Sequence, residues 1–144
     1  MKNSLVLVDS SAWLLALRRK YLPSVKERVD ALLGEDRVVT AGIIKLELLG
    51  GAVTESEFCR LKSRLDALLM VEADDSVWER ASELAFELRR KGITVPCTDI
   101  LIAASALKLK AAILHVDYHF DLIAKHADIE VESFVPQKRG KWTR

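Results

Sequence analysis

Hydrophobic positions along the chain follow two rhythms that alternate. Leu5-Val6-Leu7-Val8 is an apolar run with no polar alternation, the pattern of a strand covered on both faces of a parallel sheet. Helical spacing follows, with Ala12, Leu15 and Ala16 in one segment and Val25, Val29, Leu32 and Leu33 in a second. Pro23-Ser24 open that second helix and Gly34 closes it. Val38-Val39, within residues 37–40, read as the next strand. Residues 43–49 read as a short, nearly all-apolar helix, expected to be buried and ended by Gly50-Gly51. Two longer amphipathic helices come next. The first carries Phe58, Leu61, Leu65, Leu68 and Leu69 on one face, behind a Thr54/Glu57 capping box. The second carries Val77, Ala81, Leu84, Ala85 and Leu88 and stops at Gly92. Val95-Pro96 breaks any helix, and Thr98-Asp99 open another that runs through Leu109. Residues 111–116 read as a strand, 119–126 as a helical turn or two, and 129–134 as a last strand. Strands separated by helices in this order predict a three-layer α/β/α domain with a mainly parallel central sheet.

Composition narrows the class without choosing a function. The 144 residues, half of them hydrophobic and 30% charged, suit one globular domain with a full core. That domain is expected to span residues 1–135, with a basic tail at 136–144. Cys59 and Cys97 stand far apart with no CxxC pair or zinc-type cluster, so free thiols in a reducing compartment are expected. The apolar runs are too short for a signal core or a spanning helix, which predicts a cytoplasmic protein with no membrane association. Twenty-two basic residues against 21 acidic ones leave a net charge of +1, which at face value argues against a protein built to grip polyanions.

The carboxylates change that picture. Ligand chemistry in parallel α/β sheets gathers at the carboxyl ends of strands. Asp9 directly follows the first strand, Asp117 follows the strand containing Ile113-Leu114, and Asp99 opens the helix before it. Glu47 lies inside the apolar helix, four residues after Ile43 and three after Ile44, and so shares a face expected to meet the core. An isolated buried carboxylate is costly. Converging carboxylates become tolerable around a hard divalent cation, and oxygen-only ligation favours Mg²⁺ or Mn²⁺ over zinc. Such an ion activates water and neutralises phosphoryl charge. Metal-assisted phosphodiester hydrolysis is therefore the reaction class that the acids suggest.

Four blocks carry a resemblance: Val8-Asp9-Ser10-Ser11-Ala12-Trp13-Leu14, Leu46-Glu47-Leu48, residues 95–104 from Val95-Pro96 through Asp99 to Ala103-Ala104, and Leu114-His115-Val116-Asp117-Tyr118-His119-Phe120-Asp121. In this order and spacing they resemble the signature blocks of PIN-domain nucleases, and within them the VapC-type toxins of toxin-antitoxin pairs. The resemblance runs from Val6 to about Phe134. It implies that Asp9, Glu47, Asp99 and Asp117 form an acidic catalytic quartet, with Asp9, Asp99 and Asp117 holding Mg²⁺ or Mn²⁺. Ser11 would orient the Asp9 carboxylate from behind. It further implies endoribonuclease activity leaving a 5′-phosphate, a homodimer, and an antitoxin partner that covers the cleft. His115 departs from the pattern where Thr or Ser is usual, and His119 where an acid is common.

Each acid also has an ordinary explanation. Asp9 and the Thr98-Asp99 pair suit helix starts, Asp117 suits a loop, and Glu47 suits an exposed or salt-bridged position. His115 and His119 fall on a strand and a following turn, which excludes the i, i+4 geometry of a helical zinc motif. Ser10 and Ser11 lack the surroundings of a nucleophile. Trp13 and Trp78 read as core or dimer-packing residues. Arg18-Arg19-Lys20-Tyr21 and the tail containing Lys138, Arg139, Lys141 and Trp142 read as solvated surface, the tail also as a candidate contact for single-stranded RNA. Two competing functions follow: a catalytically silent RNA- or protein-binding module, and a phosphotransferase or phosphatase with Asp9 as nucleophile, for which Ser11 stands where a second Asp is needed. If the four acids surround a cation, 17 others remain against 22 bases. The surrounding shell is then +5, basic enough to attract a phosphate backbone.

Overall fold

A computed structural model describes residues 4–18 and 22–136. Within them, β1 (Val6–Val8), β2 (Val38–Ala41), β3 (Leu69–Val71), β4 (Ala112–His115) and β5 (Val131–Ser133) form one sheet in the order β3-β2-β1-β4-β5. Every pairing is parallel. Between the strands run α1 (Ser10–Arg18), α2 (Pro23–Gly34), α3 (Gly42–Gly50), α4 (Glu55–Asp66), α5 (Asp75–Arg90), α6 (Cys97–Leu109) and α7 (Tyr118–Ala124).

Handedness sorts these helices into layers. From β1 the chain steps outward to β2 and β3, then crosses back to β4 and β5 on the other side. Right-handed crossovers place α1–α4 on one face and α5–α7 on the other. The packing agrees: α1 meets α2 and α3, α3 meets α4, and α6 meets α5 and α7. Strands sandwiched this way are predominantly apolar, and Val6, Leu7, Val8, Ile113 and Leu114 are all buried.

Local signals acted as the sequence predicts at several ends. Pro23 occupies the first turn of α2. The Thr54 hydroxyl accepts the Glu57 amide at 3.1 Å, while the Glu57 carboxylate accepts the Val53 amide at 3.0 Å. Gly92 turns the chain after α5 at φ +77°, a conformation that L side chains rarely adopt.

Three expectations are corrected. Leu68 and Leu69 do not extend the α4 face: the helix ends at Asp66, and Leu69–Val71 form β3, which pairs along β2. A four-residue apolar run fits either state, and β2's open edge decided it. The residues 43–49 helix is not buried as a whole, since Ile44 and Leu48 face the core while Leu46 is 67% exposed. Trp78 is also exposed and therefore not a core residue, whereas Trp13 is buried. The expected basic tail at 136–144 lies outside the described residues except for Pro136, as do Arg19, Lys20 and Tyr21.

Candidate functional site

The chain reverses its direction of sheet growth between β1 and β4, so the crevice beyond their carboxyl ends is where a ligand fits. Asp9 and Asp117 follow those two strands. The ladder extends to the site itself, because the Asp9 amide donates to the Leu114 carbonyl at 3.0 Å. Asp99 enters the same crevice from the first turn of α6, where no side chain caps the helix.

Asp9 is buried, and its Oδ2 accepts both the Ser11 amide at 3.0 Å and the Ser11 hydroxyl at 2.6 Å. The capping explanation for Asp9 is thus correct geometrically, but it covers one oxygen only. The Ser11 hydroxyl in turn accepts the Val116 amide at 2.9 Å. One side chain therefore fastens the Asp9 carboxylate to the end of β4. Burial pushes the Asp9 carboxyl above its usual range, against the pull of the Ser11 hydrogen bonds, and the charges of Glu47 and Asp117 push the same way. Ser11→Ala should strand the Val116 amide and free the Asp9 carboxylate. The expected cost is about 1–3 kcal/mol of stability and a roughly 10- to 100-fold loss of metal affinity, read by denaturation and calorimetric titration.

Asp99 is the most perturbed acid. Burial raises its carboxyl first, the charges of Asp117 and Asp9 add to this, and so do a hydrogen bond with Asp117 and the charge of Glu47, pushing it up to about 8. Asp117 is more than a loop residue: it caps α7, its Oδ1 accepting the His119 amide at 3.0 Å. Asp99, Asp117 and His119 each offer a ligating atom within 4.8 Å of the others. Asp99 Oδ2 and His119 Nδ1 are buried and meet no partner in hydrogen-bond geometry. Two carboxylates and an unpartnered imidazole nitrogen converging in this way suit a divalent cation.

Glu47 is not buried. It lies on the exposed side of α3, and the Ser10 hydroxyl donates to its Oε1 at 2.7 Å. It belongs to the crevice through its charge, which raises both Asp9 and Asp99.

His115 supplies a support that a hydroxyl would otherwise give. Its ring is fully buried, and Nδ1 accepts the Asp117 amide at 3.1 Å. Nε2 lies 3.3 Å from Asp121 Oδ1, while Asp121 Oδ2 accepts the Ser133 hydroxyl at 2.9 Å. Burial lowers the pKa of His115, favouring the neutral ring that this acceptor role requires. The motif's departure at His115 leaves open whether imidazole replaces the hydroxyl support; which atoms either histidine meets is set only through the sheet, where a strand residue and a turn residue acquire their neighbours.

Comparison with known proteins decides the family. The PIN domain family matches residues 6–126. The chain is a PIN-domain protein. It is 33% identical over 134 residues to ribonuclease VapC11 of Mycobacterium tuberculosis, covering 90% of this chain and 99% of that one. To ribonuclease VapC21 of the same species it is 34% identical over 121 residues, covering 82% and 85%. Among solved structures, VapBC2 from Rickettsia felis bound to a promoter DNA fragment gives a TM-score of 0.75 at 20% identity, covering 90% of this chain and 98% of that one. FitAcB from Neisseria gonorrhoeae gives 0.69 at 21% identity, covering 88% and 96%. These structures share the fold of this PIN domain, an all-parallel sheet between two helical layers.

The thiols of Cys59 and Cys97 are free and exposed. No helix among the described residues is long and apolar enough to cross a membrane. The tail residues Lys138, Arg139, Lys141 and Trp142 lie outside the described residues.

Proposed function

We propose that this PIN-domain chain is the toxin of a type II toxin-antitoxin pair, a metal-dependent endoribonuclease acting in the cytoplasm as a homodimer. The observation that carries this reading is the convergence of Asp99, Asp117 and His119 beside Asp9 at the sheet's switch point. The names of the VapC ribonucleases support the activity, and the VapBC complexes among the structural neighbours support an antitoxin partner.

In this reading Asp9, Asp99 and Asp117 hold Mg²⁺ or Mn²⁺, which when bound supplies an activated water and neutralises charge on the phosphoryl oxygens. Ser11 keeps the Asp9 carboxylate aimed, and His115 keeps the Asp117 backbone in register. Glu47, exposed and held by Ser10, takes up a proton from the attacking water. The water oxygen bonds to phosphorus as the P–O3′ bond of the RNA breaks, and the departing O3′ takes a proton from solvent, leaving a 5′-phosphate on one product and a 3′-hydroxyl on the other. The tail residues Lys138, Arg139, Lys141 and Trp142 add charge and a stacking surface for single-stranded RNA.

Purified protein is expected to cut single-stranded RNA with Mn²⁺ or Mg²⁺ and to stop on addition of EDTA. Asp9→Ala, folded by circular dichroism, should leave no cleavage above background. Cleavage that persists in that variant and in EDTA would overturn the reading. A divalent cation at 100 times its Kd should stabilise the fold by about 2.7 kcal/mol. In cells, expression should arrest growth, and co-expression of the antitoxin should relieve it.

A further inference from the structure

His119 enters the crevice from the first turn of α7, a helix whose first cap is Asp117. Its Nδ1 lies 2.9 Å from Asp117 Oδ1 and 3.3 Å from Asp99 Oδ2. Neither approach has hydrogen-bond geometry, although Nδ1 and Asp99 Oδ2 are both buried. Asp99 as a residue is only 7% exposed, so water does not readily satisfy that oxygen. Nδ1 thus faces one oxygen from each of two acids without a hydrogen bond to either, an arrangement that a cation shared by all three groups would complete. The other histidine nearby is committed elsewhere, since His115 Nδ1 already accepts the Asp117 amide.

We propose that His119 ligates the metal through Nδ1 and so biases this centre toward Mn²⁺ and away from Mg²⁺. The inference rests on the metal-dependent reading above and deepens it. Its basis is donor chemistry. Mg²⁺ demands a near-ideal octahedron of oxygen ligands and keeps several of its own waters, whereas Mn²⁺, best suited by oxygen donors, is a first-row transition ion that tolerates an imidazole nitrogen among them better than Mg²⁺ does. An all-carboxylate crevice would hold either ion; two carboxylates and one imidazole penalise Mg²⁺ selectively. His119→Asp converts the set back to oxygen while keeping a ligand in place.

The test measures metal binding without turnover. Mn²⁺ is titrated into the full chain and followed by pulsed electron paramagnetic resonance, with calorimetry for Mn²⁺ and Mg²⁺ separately. Wild-type protein should show modulation from a directly bonded ¹⁴N nucleus, changing to the ¹⁵N pattern when histidine is ¹⁵N-labelled. That measurement needs no variant. His119→Asp should still bind Mn²⁺ but without nitrogen modulation, and its preference for Mn²⁺ over Mg²⁺ should fall by roughly tenfold or more, the scale on which altered metal surroundings register. Bound Mn²⁺ with no nitrogen coupling in the wild type, or an unchanged preference in a folded His119→Asp, overturns the proposal while leaving the nuclease reading intact. Mn²⁺ binding that survives Asp99→Asn and Asp117→Asn together overturns the nuclease site itself.

Discussion

Asp99→Asn will abolish RNA hydrolysis while raising the thermal midpoint of the metal-free protein. Both effects have one cause. Burial and the charges of Asp117 and Asp9 push the Asp99 carboxyl from an ordinary 3.8 up to about 8, so the folded state holds a proton that the unfolded chain releases. Below pH 3.8 both states are protonated and the group costs nothing. As pH rises from there toward 8, the penalty grows. Half of the interval between 3.8 and neutral pH is already worth about 2 kcal/mol. Asparagine keeps the shape and needs no proton on folding, so the metal-free variant should melt several degrees higher at pH 7, ~4–8 °C on the usual scaling. The difference should shrink toward pH 4. The same substitution removes a carboxylate from the candidate metal centre, and a loss of at least ~10³-fold in cleavage corresponds to about 4 kcal/mol of transition-state stabilisation. Differential scanning fluorimetry in EDTA across pH, beside a single-turnover cleavage assay, checks both halves. A folded variant that cleaves normally would remove Asp99 from the site.

Phe120→Ala should cost about 3–5 kcal/mol, the range for truncating a large buried aromatic. Phe120 is fully buried, and its ring lies 5.2 Å from that of His115 at a tilt of 51°. The loss is a large part of the 5–15 kcal/mol that holds a typical domain together, and the midpoint should fall by about 10 °C or more. The functional consequence follows from position. Phe120 anchors the helix whose cap is Asp117 and whose first turn carries His119. Loosening that anchor should weaken metal binding at temperatures where the fold still persists. Phe86→Ala is the comparison, because Phe86 is 62% exposed, with the Arg90 guanidinium 5.5 Å from its ring centre. That change should stay within about 1 kcal/mol. Equal destabilisation in the two variants, measured by chemical denaturation, would contradict the packing argument.

The distribution of negative charge gives the near-neutral composition its meaning. Asp9, Asp99 and Asp117 gather where two strands end, and Glu47 adds its charge from the exposed side of α3. Their mutual repulsion is a stability cost that a bound cation offsets. The protein should accordingly be more resistant to heat with its metal than without it, and the pH dependence of the metal-free form should flatten once the ion is bound.

Much of this was readable along the chain because it depends on local order. The buried runs around Val6–Val8 and Ile113-Leu114, the Pro23 and Thr54 helix starts, and the sequence positions of Asp9, Asp99 and Asp117 relative to strand and helix ends all follow from short-range periodicity and capping. Alternation of strands and helices was enough to predict a parallel α/β domain. What the chain could not specify was neighbourhood. Leu69–Val71 became a strand because β2 offered an open edge, and an apolar run that short fits a strand or a helix equally well. Glu47 turned outward because α3 buries only the side carrying Ile44 and Leu48. His115 and His119 acquired their neighbours when the β4 end met the first turn of α6, bringing residues 99, 117 and 119 within reach of one another. Sequence spacing carries helical and strand geometry over a few residues. The convergence of distant donors on one point is a property of the switch in sheet order, and only the folded chain decides it.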